Sequence, residues 1–98
     1  MHLSSSLSAH ARIRSQQRGI PPLIQAWLDD FGEELHDGRG AVIRYFSRRS
    51  VRKLEREVGT IPVRRMSEFL RTYMVEGQSD GIVITLAKRH RGRPFFRR

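Results

Sequence analysis

From residue 21 onward the apolar residues recur at helical spacing. Leu23, Ile24, Trp27, Leu28 and Phe31 form one stripe, and Gly32 stops it. Pro21 and Pro22 open this helix, because the first turn has no use for the missing N–H. Shorter segments with strand character follow. Glu33–His36 and Ala41–Phe46 flank the turn Asp37-Gly38-Arg39-Gly40, a hairpin pattern. A further helix begins at Ser47 or Ser50 as cap, turns Val51, Leu54 and Val58 inward and stops at Gly59. Pro62 opens the next, with Val63, Met66, Phe69 and Leu70 on one side. A short strand, Tyr73–Glu76, and the turn Gln78-Ser79-Asp80-Gly81 lead to a last strand over 82–89. Upstream, Ser8 caps a helix running to about Arg18, with Gly19 as its stop.

The pattern predicts an α+β fold: a small, mostly antiparallel sheet of three or four strands packed by about four helices. A sheet this small needs helices on one face to be stable. The chain has 98 residues, enough for a single domain with one modest core. Residues 92–98 form a basic-aromatic carboxyl extension to that domain.

Charge changes the picture more than length does. The formal net charge is +9, well beyond what solubility asks for, and predicts attraction to polyanions, nucleic acid first. Basic blocks at 1–20, 41–65 and 88–98 alternate with acidic ones at 21–40 and 66–87. A basic face assembled from sequence-distant pieces fits that alternation. There is no cysteine, hence no disulfide, thiol chemistry or zinc ribbon, in keeping with a reducing, cytoplasmic compartment. No apolar run approaches a membrane span. Met1–Gly19 is rich in Ser and Arg and lacks acids, as transit peptides do, and lacks the apolar core of a secretory signal.

Several residues invite chemistry. His10, Arg14 and Arg18 lie four apart and line one helix face, either a solvated surface or the border of a phosphate cleft. The helix after Ser47 carries Arg48, Arg49, Arg52, Lys53 and Arg56. Its like-charge pairs four apart each cost a few tenths of a kcal/mol, partly relieved by Glu55 and by Glu57, which can pair with Lys53. A polyanion would neutralise the rest. Tyr45 and Thr85 lie on strands as structural residues or as hydroxyl donors to a phosphate, with Arg44 and Phe46 on the face opposite Tyr45. Lys88, Arg89, Arg91, Arg93, Arg97 and Arg98 surround His90, Phe95 and Phe96. This carboxyl stretch can grip phosphates and stack on bases. Its rings can instead fold over the core or meet a membrane surface. Asp29, Asp30, Glu33, Glu34 and Asp37 raise a metal reading, but their arrangement is that of solvated charges. No nucleotide-binding or hydrolase motif appears, and no cofactor is implied.

Together, Ser8-Ala9-His10-Ala11, Gln16-Gln17-Arg18-Gly19-Ile20-Pro21-Pro22, Ile43-Arg44-Tyr45-Phe46 and Asp80-Gly81-Ile82-Val83-Ile84-Thr85 with a basic end resemble a known family. It is a family of small bacterial proteins of unknown function, placed near the RelE-like and barnase-like ribonuclease toxins. The resemblance covers most of the chain in order. It implies helices on an antiparallel sheet and a metal-free endoribonuclease of toxin–antitoxin type, restrained by an acidic antitoxin. His10, Arg14, Arg18, Tyr45 and Thr85 match the family's pattern positions. Where the pattern has Gly-His-Arg, this chain has Ala87-Lys88-Arg89, with His90 two residues beyond the expected histidine. Either Lys88 stabilises charge without moving a proton, or His90 supplies the imidazole, or the site is inactive.

Metal-free RNA cleavage would use His10 as general base or acid, and Arg14, Arg18 and Lys88 on the phosphate. His90 or Tyr45 would be the second proton carrier. Two rival readings remain open: a non-catalytic nucleic-acid-binding module, RNA more than DNA, and a basic domain for an acidic protein partner.

Overall fold

The computed structural model describes residues 19–89. The order is α1 (Pro22–Phe31), β1 (Glu33–His36), β2 (Ala41–Tyr45), α2 (Arg48–Val58), α3 (Thr60–Arg65), a 3₁₀ turn (Ser67–Phe69), β3 (Thr72–Gly77) and β4 (Val83–Lys88). The fold is α+β. The four strands form one antiparallel sheet in the order β1-β2-β3-β4. Three α-helices lie among the described residues; the helix expected over 8–18 lies outside them.

Pro21 supplies an extended cap and Pro22 the first turn of α1. The helix ends where the Gly32 N–H donates to the Leu28 carbonyl at 3.0 Å. A Cβ at Gly32 would stand 2.5 Å from that oxygen, so the stop requires glycine. Ile24, Trp27 and Leu28 are buried, but Leu23, expected in the same stripe, is 46% exposed. With Ile20, Phe46, Leu54, Val63, Met74, Val83 and Leu86 they make the core.

The register sorts the sheet into two faces. Arg44 pairs with Glu34 and Met74, and Met74 with Leu86, so these residues face α1 and the core. Tyr45, Tyr73 and Ala87 share the opposite face, as do Leu35, Ile43, Val75 and Thr85. Arg44 and Phe46 thus oppose Tyr45, as alternation predicts.

β4 departs from simple alternation. Thr85 pairs with Val75, but Val83 pairs with Glu76, which leaves Ile84 as an extra residue in a β-bulge. The bulge turns Val83 into the core together with Leu86 and leaves Ile82 and Ile84 exposed. The strand is correspondingly shorter than the predicted 82–89.

Two expectations for the helical connection are corrected. Val58 is exposed rather than inward, because α2 ends there and Gly59, at φ 91° and ψ 162°, turns the chain away. That backbone region is nearly exclusive to glycine. α3 starts at Thr60, with Pro62 inside its first turn, where proline is tolerated. Val63 takes the core position, and Phe69 and Leu70 fall in and after the 3₁₀ turn rather than on a continuous helix.

Among the described residues the inner face holds one buried charge group. Glu76, almost fully buried, accepts from the Arg44 Nε, and the Arg44 Nη2 donates to Glu34 at 2.9 Å. Burial alone would lower the Arg44 pKa. The hydrogen bond to Glu76 and the charges of Glu76, Glu34 and Asp29 outweigh it and raise the value. The guanidinium is therefore fixed as a cation, which keeps the buried Glu76 carboxylate compensated.

Candidate nucleic-acid interface

α2 is short of apolar material, and only Ser50 and Leu54 are buried along it. Its position depends on polar ties at its start. The Ser47 hydroxyl accepts from the Ser50 N–H at 3.0 Å, an N-cap, and donates to Glu33 Oε1 at 2.6 Å. Arg49 Nη2 reaches the second oxygen of Glu33 at 3.1 Å. These bonds clamp the first turn of α2 to the start of β1. They hold the Glu33 carboxyl below its ordinary pKa, the Ser47 hydrogen bond first and the Arg49 hydrogen bond second.

With Leu54 turned inward, the cations occupy the outer side. Arg48, Arg49, Arg52, Lys53 and Arg56 are all exposed. Arg49 is held by Glu33, whose carboxylate the Lys53 charge also favours; among the described residues Arg48, Arg52, Lys53 and Arg56 make no direct ion pair. The pairing of Glu57 with Lys53 does not form; Lys53 instead lines a small cleft with Glu33 and Arg49. α3 adds the exposed Arg64 and Arg65 in its last turn. Beside α2 runs an open groove of about 320 Å³. Phe46, Val51 and Leu70 line its apolar side, and Arg48, Arg52 and Glu55 its polar side.

The other predicted site residues fall elsewhere. Tyr45 and Thr85 are half-buried on the outer sheet face, on strands separated by β3 and on different cross-strand rows. Strand spacing puts their Cα atoms about 12 Å apart. Lys88 lies on the inner face, opposite Thr72, with its Nζ 4.6 Å from the centre of the Phe69 ring. A sheet therefore separates Lys88 from Tyr45 and Thr85, and its ammonium is engaged in a cation–π contact. Arg89 follows β4, its N–H bonded to the Arg71 carbonyl at 3.0 Å. His10, Arg14, Arg18, His90, Arg91, Arg93, Phe95, Phe96, Arg97 and Arg98 lie outside the described residues.

Three carboxylates of the acidic segment are engaged in bonds within the fold. Glu33 serves Ser47 and Arg49, and Glu34 serves Arg44. Asp37 accepts from the backbone of Arg39 at 2.6 Å and of Ala41 at 3.0 Å, closing the hairpin turn. Those two bonds lower its pKa. Among the described residues no three His, Asp or Glu side chains are placed to hold a metal ion together. Nor is any helix among them long and apolar enough to cross a membrane.

Sequence reasoning missed the position of Glu55 beside the groove and of Arg64 and Arg65 in the last turn of α3. The arginines were visible as part of the 41–65 basic block. Glu55 carried a faint signal, as an acid on the basic helix one residue after the buried Leu54. No family model, curated protein or solved structure matches the chain.

Proposed function

We propose that this protein binds RNA through the outer side of α2. The observation that carries this reading is the set of four exposed cations, Arg48, Arg52, Lys53 and Arg56, without internal ion pairs among the described residues. Like charges four apart on one helix repel, and phosphates spaced along a strand relieve that repulsion. Arginine dominates the set, and its planar fork suits phosphate oxygens better than an ammonium does.

Binding should weaken steeply with salt, because each neutralised phosphate releases counterions. For single-stranded RNA bound by all four side chains, log Kd against log salt should have a slope near 3, at about 0.7 per phosphate. Fluorescence anisotropy with a labelled oligoribonucleotide measures it. A flat salt response, or no binding at low salt, overturns the reading. An acidic protein captured in place of RNA supports the rival docking role.

A second reading, a metal-independent endoribonuclease of toxin type, is favoured by one observation. Tyr45 and Thr85 share the outer sheet face, and both match pattern positions of the resembled family. With Cα atoms about 12 Å apart they suit successive groups of a dinucleotide. Lys88, on the inner face, has no part in that arrangement. Cleavage of the same RNA in EDTA, lost in Tyr45→Phe, is the outcome this reading requires. Intact RNA after incubation at high protein and low salt leaves binding alone.

A further inference from the structure

Glu55 sits where a phosphate-binding surface has no need of a carboxylate. It is half-buried beside the groove along α2, and Arg48 and Arg52 line the same groove. Yet among the described residues its side chain makes no hydrogen bond or ion pair with either. The groove therefore offers three kinds of contact at once. Two guanidinium groups four residues apart want anionic oxygens, and a carboxylate with no side-chain partner among the described residues wants N–H donors. The apolar atoms of Phe46, Val51 and Leu70 want a flat or aliphatic body. One nucleotide unit supplies all three, as phosphate, base edge and base face. An acidic peptide brings further carboxylates toward Glu55, and an anionic lipid headgroup has no flat apolar body to lie against Phe46, Val51 and Leu70.

From this we infer that the groove is a base-reading subsite that takes an unpaired nucleotide whose base bears an exocyclic amino group. This rests on the RNA-binding reading and deepens it. Arg48 and Arg52 hold the phosphates on either side of the nucleotide. The base lies on the apolar floor, and Glu55 accepts from the amino group, as carboxylates do from the N4 amino group of cytosine. Uracil presents a carbonyl oxygen at that position and has only its ring N3–H to donate, so it is disfavoured. A duplex is rejected as well, since its base edges are already paired and cannot enter a groove beside a helix.

Cytosine and uracil differ in that group and in the protonation of the adjacent ring nitrogen, which makes them close probes. Labelled oligocytidylate and oligouridylate of equal length and charge are titrated into the full chain at one salt concentration, with polyglutamate as a competitor. Oligocytidylate should bind about tenfold more tightly, the discrimination one good base contact gives. Glu55→Gln, whose amide both donates and accepts, should remove the preference while retaining salt-dependent binding to both. Circular dichroism verifies that the variant is folded. Equal binding of the two oligomers by the unaltered chain overturns the subsite and leaves RNA binding by α2 standing. So does a preference that survives in Glu55→Gln. Binding to neither oligomer overturns both readings. Displacement by polyglutamate as effective as by RNA assigns the groove to an acidic protein instead.

Discussion

Helices α1 and α2 differ by one residue in length and flank the same core, yet they use their surfaces differently. In α1, Ile24, Gln25, Trp27 and Leu28 are buried, and Pro22 and Gly32 set its ends without any side-chain cap. In α2 only Ser50 and Leu54 are buried, and the outer side carries five cations against Glu55 and Glu57. Tertiary packing accounts for α1; it accounts for α2 only in part. α2 depends on its Ser47 cap and the Glu33 clamp to stand where it does. Under the RNA-binding proposal, phosphates outside the chain would neutralise the repulsion that this helix carries for so little burial.

The comparison breaks most visibly through its apolar half. Leu28→Ala in α1 should cost about 2–5 kcal/mol, because Leu28 is fully buried within the core and the cavity collapses only partly. Denaturant unfolding measures this, and RNA affinity per folded molecule should be unchanged. A loss below about 1 kcal/mol would mean that α1 is not the packing element described.

A smaller effect sharpens the polar half. Ser47→Ala removes both the cap and the donor to Glu33, and should cost about 1 kcal/mol. The difference from the unaltered chain should also depend on pH. The Glu33 pKa is depressed in the fold, so its contribution is present above the ordinary 4.5 and lost as pH falls through the lowered folded value. The gap between the two proteins should accordingly narrow on acidification. A gap constant from neutral pH to below that value would show that the Glu33 bond contributes nothing.

Much of the frame was legible because its signals are local. The 3.6-residue spacing from Leu23 to Phe31 marked α1, and Asp37 to Gly40 marked the hairpin turn. Other features depend on registers that no local pattern specifies. Ile82 to Leu86 is apolar at every position except Thr85, so alternation admits two phases. Only the bulge at Ile84 decides between them, and with them the faces of Thr85 and Lys88. Val58 continued a helical stripe but is the last residue of its helix, where Gly59 turns the chain away. Alternation put Arg44 on the face of Phe46 but could not name its buried partner, which lies 32 residues away in β3. A charged residue between Val42 and Phe46 on one strand face was the available hint. For the site, the cations of α2 were visible as residues and as a charge block. The groove beside them was not, since Phe46 and Leu70 join Val51 there only through the tertiary fold.

What the outer side of α2 is for is tested most directly by neutralising it. In Arg48→Gln, Arg52→Gln, Lys53→Gln and Arg56→Gln combined, helix-forming residues replace exposed cations, so the fold should persist. The measurement is the salt slope of single-stranded RNA binding for this variant beside the unaltered chain. We predict that the slope falls by about 0.7 for each phosphate no longer neutralised, approaching 3 in total. An unchanged slope in a folded variant would contradict RNA binding by α2 and move the RNA-binding surface elsewhere on the molecule.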